Sequence, residues 1–309
     1  MVFAAGLGTR LHPLTEERPK AAVPILDRPL AAYALERLAA ASIDPIAVSL
    51  FHLAEVAQPL LRAALPRGPE VLFVREPRLL GTGGGLRHAM AALDARFGPS
   101  DEPVVVMNGD VLMWPDLEAA VRRHHDAGAW ATMVVRHEPG RASEGRVRAD
   151  EEGRVRQLLG EPAATRPLTG WTFTGVQVLS PGAIAELPAE GCVVRQAYRG
   201  WVDRRERVLA VEDEAPWRDV GTPSAYRRAC LEVANGDLRW PSVVPAPDGV
   251  WLGPGAIVAG ARVRRSVVGG GAMVAPGVTV EGSVLWPGAR AERDVHETVL
   301  TTAGRSARS

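Results

Sequence analysis

The sequence predicts an α/β fold: a Rossmann-like, mixed but mainly parallel sheet with helices on both faces, joined to a short C-terminal parallel β-helix. Three observations predict it. From Met1 to about Asn235, apolar runs of strand length alternate with segments of helical period, the pattern of βαβ units. Runs such as Val104-Val105-Val106-Met107 show no polar alternation, as expected of strands buried on both faces of a parallel sheet. After Leu238 the composition shifts to Val, Gly, Ala and Pro, and an apolar residue recurs at every sixth position.

In chain order, residues 2–5, 46–51, 71–74 and 104–107 read as strands, and residues 30–41, 54–65 and 85–97 as helices. Beyond Ala131 the helices thin out, and strand-like stretches at 146–159, 171–179 and 208–211 predict an antiparallel or mixed annex. The hexads run through Trp251, Ile257 and Val263, then Val268, Val274 and Val280, then Leu285 and Ala291, with pairs such as Gly255-Ala256 and Pro276-Gly277 between them. One small apolar side chain per flat face of a triangular coil, with glycine at the corners, is the hexapeptide-repeat pattern of a parallel β-helix. The division expected is 1–237 for the chemistry, 238–300 for the coil and 301–309 for a disordered tail.

At 309 residues the chain is long enough for one large and one small unit. Lys+Arg and Asp+Glu number 36 each, so no net field draws nucleic acid or an anionic membrane, and an anionic ligand has to be held by local chemistry. Cys192 and Cys230 stand apart, with no C-x-x-C or Cys/His grouping, which indicates neither zinc site nor disulfide framework and fits a reducing cytoplasm. No basic n-region opens the sequence, and no stretch reaches the roughly 18 apolar residues of a membrane span, so neither secretion nor membrane insertion is expected.

The first chemical signal is Ala4-Ala5-Gly6-Leu7-Gly8-Thr9-Arg10-Leu11, directly after a strand. Gly6 and Gly8 let the backbone approach a ligand closely and aim successive N–H groups at it, which suits a triphosphate, and Arg10 adds a planar fork of donors. A G-x-G after a strand also serves tight turns for geometry alone, and without a following Gly-Lys-Ser/Thr it is not a Walker loop. The segment continues Pro13-Leu14-Thr15, Pro19-Lys20, Pro24 and Pro29-Leu30, a loop stiffened by prolines around one lysine. That lysine can act as a fixed positive charge for a phosphate or as a solvated surface side chain.

Asp110, in Asn108-Gly109-Asp110, follows the strand at 104–107, at the carboxyl end where open α/β sheets gather ligands. Asp219 lies in Trp217-Arg218-Asp219-Val220-Gly221-Thr222-Pro223, where Thr222 before Pro223 is the better helix cap. Leu80-Gly81-Thr82-Gly83-Gly84-Gly85-Leu86 is a second glycine-rich turn, leading into a helix, and close approach explains its glycines better than helix formation does. His124 and His125, on a helix expected to be exposed, read as solvated.

The run Gly6-x-Gly8-Thr9-Arg10-Leu11-x-Pro13-Leu14-Thr15, with Pro19-Lys20 and Pro24, resembles the signature loop of the sugar-1-phosphate nucleotidyltransferases, the NDP-sugar pyrophosphorylases. The resemblance extends along the chain, because mannose-1-phosphate guanylyltransferases of this type also end in a left-handed β-helix. It implies that Gly6, Leu7, Gly8, Thr9 and Arg10 wrap a nucleoside triphosphate, that Arg10 stabilises the departing pyrophosphate, and that Lys20 contacts phosphate, including that of the sugar. It also implies that Gly81 and Thr82 lie against base and ribose, and that Asp110 and Asp219 hold Mg²⁺ together with water and phosphate oxygens.

Around the sugar the resemblance rests on Glu144-Gly145-Arg146-Val147 and Phe173-Thr174-Gly175-Val176, which assign Gly145, Thr174 and Gly175 to the sugar phosphate. The family's Glu-Lys-Pro aligns with Gly160-Glu161-Pro162, so either Arg166 or Arg195 supplies the phosphate charge or the sugar differs from the common hexoses. The family's first strand has a few more apolar residues before Ala4-Ala5-Gly6, so Met1 is either a misplaced start or the head of a short strand.

The implied reaction is in-line attack of a sugar-phosphate oxygen on the α-phosphorus with release of pyrophosphate. GTP with mannose 1-phosphate is the first choice of substrates, and N-acetylmuramate or heptose 1-phosphate the second. A regulatory subunit that binds nucleotide sugar, or an acyltransferase working through the coil, are the alternatives from other classes; intact Arg10, Lys20, Asp110 and Asp219 weigh against the first, and the small extent of the coil against the second. No nucleic acid or membrane partner is expected, and a homo-oligomer is left open. Because the chemistry is assigned to 1–237, loss of the coil is expected to leave residual nucleotide binding.

Overall fold

The computed structural model of the chain describes residues 1–140, 146–163, 167–246 and 248–308. They form two units that interleave along the sequence. The first is built from Met1–Gly6, Ala34–Phe51 and Leu65–Trp217, and the second from Leu7–Tyr33, His52–Ala64 and Arg218–Ser309.

The first unit holds a nine-stranded sheet among the described residues. Its centre is parallel, with Val71–Arg75, Ile46–Leu50, Val2–Phe3 and Val104–Asn108 side by side in that order. The unbroken apolar runs are enclosed as their composition predicts, with Ile46, Val48, Val106 and Met107 buried. Beyond Val104–Asn108 the long strand Thr169–Leu179 runs antiparallel and branches to Ala131–Arg136 and to Val147–Ala149. Val155–Leu158 and Val208–Glu212 complete this annex, the latter parallel to Ala131–Arg136.

Side chains alternate across the sheet, and helices cover both of its faces. Ala131, Met133 and Val135 share a core with Leu86, Ala89 and Met90 of the helix Gly81–Phe97. On the other face Thr132 meets His124 of the helix Leu117–Asp126. His124 therefore departs from the solvated state expected of it: it is 3 % exposed, because the inward stripe of Leu117 and Ala120 continues to its position. Its Nδ1 lies 3.0 Å from Thr132 Oγ1, and burial, with the neighbouring His125 adding to it, lowers its pKa to about 4. His125 stays exposed.

In the second unit Leu7–Tyr33 groups with the C-terminal strands, so the units cut across the boundary expected at residue 237. Contacts far apart in sequence account for this. The Tyr226 hydroxyl donates to the Pro24 carbonyl, the Arg18 guanidinium lies 5.3 Å over the Trp286 ring, Trp240 meets Tyr33 edge-on at 4.8 Å, and Arg305 pairs with Glu16. The helix Pro223–Asn235 begins where the sequence places it, with Thr222 Oγ1 accepting the Ala225 N–H at 3.2 Å and Pro223 in the first turn.

After that helix, strands stack in three parallel ladders. One holds Val250–Leu252, Ser266–Val268, Val284–Leu285 and Thr298–Leu300; a second holds Arg262–Arg264, Thr279–Glu281 and Val295–His296; the third pairs Met273–Val274 with Arg290–Ala291. Val268, Val274, Val280, Leu285 and Ala291 of the hexads form their common core. Ile257 does not: it forms an isolated bridge to Met273 at the start of the stack and stays 51 % exposed. Residues 301–308 are not the disordered tail expected. A turn closed by the Gly304 N–H on the Thr301 carbonyl reverses the chain, and Ser306–Arg308 pairs antiparallel with Thr298–Leu300, covering an edge that would otherwise stay open.

No helix among the described residues is long and apolar enough to cross a membrane.

The burial of His124 has a thermodynamic signature. An unfolded histidine titrates near 6.5 and His124 at about 4, so between those values the unfolded chain binds a proton that the native chain does not. Stability should fall as pH drops through that window. Thermal unfolding of His124→Gln over the same window should lose less stability per pH unit than the wild type; equal slopes would assign the response to other groups.

Candidate functional site

The glycine loop of the second unit is folded back on itself. Gly8 takes the left-handed conformation, φ 64°, ahead of the short 3-10 turn Thr9–Leu11, and this is a region that side-chain-bearing residues avoid. The space is closed as well, since a Cβ at Gly8 would lie 2.9 Å from Thr15 Cγ2 and 3.0 Å from Lys20 Cβ. Thr15 is buried and donates its hydroxyl to the Gly8 carbonyl at 3.0 Å. Leu7, Thr9 and Arg10 are exposed on the outside of the fold-back.

Lys20 is carried inward. It is 8 % exposed, and its Nζ lies 3.9 Å from Asp219 Oδ1. Pro19 fixes the approach to the 3-10 turn Lys20–Ala22, whose Ala22 N–H donates to the Pro19 carbonyl at 2.7 Å. Asp219 is held by its neighbours in sequence: Arg218 Nε donates to Glu232 of the helix Pro223–Asn235 at 2.6 Å. A Cβ at Gly221 would lie 3.3 Å from Arg10 Nη2 and 3.3 Å from Asp219 Oδ1, so glycine there lets guanidinium and carboxylate close in. Arg10, Lys20 and Asp219, all singled out by sequence, thus converge as two cations about one carboxylate, an arrangement able to hold a phosphate chain.

In the first unit Gly6 and Asp110 share the carboxyl end of the sheet. The Gly109 N–H donates to the Phe3 carbonyl at 2.9 Å, which sets Asp110 beside the strand that runs on to Gly6. Chain order reverses here, between neighbours on either side of Val2–Phe3, the position where open α/β sheets take ligands. Asn108 fills the space above Gly175, where a Cβ would lie 2.6 Å from its Nδ2. Thr174 is buried, and its hydroxyl donates to the Val134 carbonyl at 2.7 Å, where the register between the two strands shifts between Phe173 and Val176. Gly145, Glu144 and Arg166 lie outside the described residues. Arg195 is exposed on the π-helical turn Val193–Tyr198, and Glu161 pairs with Arg199.

The second glycine-rich turn is the beginning of a helix, Gly81–Phe97, and the close approach its glycines permit is to the chain itself. The Gly83 N–H donates to the Gly191 carbonyl at 2.8 Å, Thr82 Oγ1 accepts the Val193 N–H at 2.9 Å, and a Cβ at Gly84 would lie 2.5 Å from the Ala189 oxygen. Gly81 alone of these glycines is exposed, which leaves its backbone open to a ligand. Under the turn lies Glu76, a residue to which no motif pointed. Its Oε2 accepts the Leu80 N–H at 2.9 Å, and a Cβ at Gly85 would lie 2.6 Å from its Oε1. Burial pushes the Glu76 carboxyl up in pKa against that hydrogen bond, and the positive end of the helix is where a carboxylate is best tolerated. The available signal was an acid shortly before a glycine-rich helix start.

Among the described residues no three His, Cys, Asp or Glu side chains cluster as a metal site. A cation held by Asp110 or Asp219 would therefore depend on ligand oxygens for most of its shell, which is the way Mg²⁺ binds with phosphates; the carboxylates fit it in donor type.

The sequence matches the nucleotidyl transferase family over residues 1–236. It is 30 % identical over 308 residues to a mannose-1-phosphate guanylyltransferase of Mycobacterium tuberculosis, covering 94 % of this chain and 80 % of that one. It is 28 % identical to a UTP–glucose-1-phosphate uridylyltransferase of Synechocystis, covering 94 % and 84 %, and 30 % identical to an N-acetylmuramate alpha-1-phosphate uridylyltransferase of Caulobacter vibrioides, covering 76 % and 96 %. In fold it is similar to the crystal structure of HddC from Yersinia pseudotuberculosis complexed with GMP-PN, at a TM-score of 0.60 and 23 % identity, over 74 % of this chain and 96 % of that one. As the signature loop implies, the chain belongs to the nucleotidyl transferase family.

Proposed function

We propose that the chain is a cytoplasmic sugar-1-phosphate nucleotidyltransferase that joins GTP to mannose 1-phosphate and releases pyrophosphate. The observation that carries this reading is the convergence of Arg10 and Lys20 on Asp219 around a folded-back glycine loop. The relative from Mycobacterium tuberculosis, similar along nearly the whole chain, supports the choice of substrates.

The sugar-phosphate oxygen forms a bond to the α-phosphorus while the bond to pyrophosphate breaks, and because this nucleophile is already an anion no general base is needed. Backbone N–H groups from Gly6 to Thr9 take the triphosphate. Arg10, exposed beside Gly221, meets the phosphates that leave, and Lys20, held in place, adds positive charge to a bound phosphate and to the transition state. The Gly81 backbone and Thr82 are assigned to base and ribose, and Gly175, with Gly145, to the sugar. Asp110 and Asp219 are each assigned to Mg²⁺, which when bound neutralises charge on the phosphates. In this scheme 1–237 carries the reacting groups, and 238–300 is a left-handed hexapeptide-repeat coil.

A second reading, uridylyl transfer to N-acetylmuramate 1-phosphate, is favoured by Glu161 standing where the resemblance calls for lysine and by the relative from Caulobacter vibrioides. A pyrophosphate-release screen of nucleoside triphosphates against sugar 1-phosphates separates the two. GTP with mannose 1-phosphate should turn over fastest. A preference for UTP with N-acetylmuramate 1-phosphate would move the assignment, and no turnover with any pair would end the enzyme reading.

Charge-assisted contacts are worth roughly 1.5 to 3 kcal/mol, so Arg10→Ala and Lys20→Ala should each lower kcat/KM at least about tenfold. The loss should fall on kcat for Arg10, whose partner is the leaving group, and also on the KM of a phosphate-bearing substrate for Lys20. Wild-type constants for both variants would remove the loop from the chemistry.

Asp110→Ala and Asp219→Ala should each cost at least about a hundredfold in turnover with the fold intact by circular dichroism. Activity within a few fold of wild type for either would remove that carboxylate from metal binding.

A further inference from the structure

The hairpin that follows Lys20 closes in an unusual way. Pro24–Ile25 pairs with Arg28–Pro29, and the two residues between them, Leu26 and Asp27, both take left-handed conformations, φ 47° and 66°, with no glycine at either position. An Asn-Gly pair would close the same hairpin without strain. Residues persist in such conformations only where their surroundings over-determine them, and here the surroundings are the C-terminal strands. Leu26 is buried, and the Gly270 N–H donates to Asp27 Oδ2 at 2.8 Å.

Three glycines shape the space the Asp27 carboxylate fills. A Cβ at Gly253 would lie 2.3 Å from Oδ2, at Gly269 2.9 Å from Oδ1, and at Gly270 2.9 Å from Oδ2. Oδ1 is buried with no hydrogen-bond partner among the described residues, so part of the cost of enclosing the carboxylate is left uncompensated and the Gly270 N–H bond to Oδ2 is its attachment to this socket. Burial pushes its pKa up, against the Gly270 hydrogen bond and the charge of Arg18.

What Asp27 does follows from what it joins. The chain from Lys20 to Asp27 is short and stiff: the Val23 N–H donates to the Lys20 carbonyl at 3.3 Å, and the Leu30 N–H to the Val23 carbonyl at 3.0 Å. On the other side of Lys20, Arg18 lies over Trp286, and Glu17 accepts the Ala303 N–H at 3.3 Å. Lys20 thus sits in a segment pinned to the C-terminal strands on both sides. We propose that Asp27 is a positioning residue for Lys20, and that the C-terminal strands, through this glycine-lined socket, hold the Lys20 ammonium in place beside Asp219. The kinetic consequence rests on the nucleotidyl-transfer reading; the structural consequence does not. It reverses the expectation that the strands after residue 237 can be lost with nucleotide binding retained.

The test compares the full-length wild type with Asp27→Ala, Asp27→Asn, Gly270→Ala, Lys20→Ala and the double variant Lys20→Ala/Asp27→Ala. Asp27→Ala should lower kcat/KM about tenfold, with the KM of the phosphate-bearing substrate raised as in Lys20→Ala, and the double variant should fall no more than about twofold below Lys20→Ala, because the two side chains act as one unit. Asp27→Asn keeps an oxygen for the Gly270 N–H and should recover most of the loss. Hydrogen exchange of peptides spanning 19–30 should quicken in Asp27→Ala while peptides spanning 266–291 keep their protection. Multiplicative losses in the double variant, or unchanged exchange at 19–30, would overturn the proposal. If Asp27→Ala fails to fold, Gly270→Ala, whose added methyl meets the carboxylate first, should show the same exchange and kinetic pattern, and wild-type behaviour there would equally overturn it. Should the wild type turn over no pair of substrates, the function reading fails, and the exchange comparison alone decides the role of Asp27.

Discussion

The second unit is organised around one positive charge taken out of water. Desolvating an ammonium as enclosed as Lys20 costs several kcal/mol unless an opposite charge and hydrogen bonds compensate it. Asp219 at 3.9 Å supplies the charge, so whatever fixes either partner belongs to the same arrangement. That includes the contact of Gly8 with Thr15, the stiff approach through Pro19, the pairing of Arg218 with Glu232, and the Thr222 cap that starts the following helix. A lysine stem is long and flexible, and its charge contributes to a reaction only where that freedom has been removed before the substrate arrives.

The first unit shows the same economy of local charge with the sign reversed. The chain has balanced totals, 36 basic and 36 acidic residues, so ligands are not drawn in by a global field. Glu76 is buried under the first turn of the helix Gly81–Phe97, where the helix dipole and the Leu80 N–H offset part of its desolvation. The glycines above it are small so that the helix can settle both on that carboxylate and on the segment around Gly191. The exposed Gly81 backbone is what this packing leaves facing outward.

The parts of the fold legible in the sequence are those with a local period. Val104 to Met107 announces a doubly covered strand because all its neighbours are apolar, and Val268, Val274 and Val280 announce an enclosed stack because six-residue spacing has no other common cause. Local patterns singled out Arg10 and Lys20 through a glycine and proline framework, Asp110 through a strand end and Asp219 through the family resemblance, and of these the second unit brings Arg10, Lys20 and Asp219 together. What was hidden depends on partners distant in sequence. No pattern near Tyr33 tells that it meets Trp240, and none near Pro24 that it accepts a bond from Tyr226, so the grouping of residues 7–33 with the C-terminal strands could not be read. His124 was misjudged because a histidine at the end of a charged helix looks solvated until the register of Leu117 and Ala120 is followed one turn further. At Thr174 the motif gives the residue's place and not its hydroxyl's partner, the Val134 carbonyl.

A stack of parallel strands has no length of its own, since each turn presents to the next the same edge it received, and growth can in principle continue indefinitely. The hairpin at the end of this chain supplies what periodicity lacks. By running opposite to Thr298–Leu300, Ser306–Arg308 offers a register that a further parallel turn could not copy. The turn at Thr301 to Gly304 therefore closes the edge of Thr298–Leu300 by a reversal of direction, a device that the six-residue period does not encode.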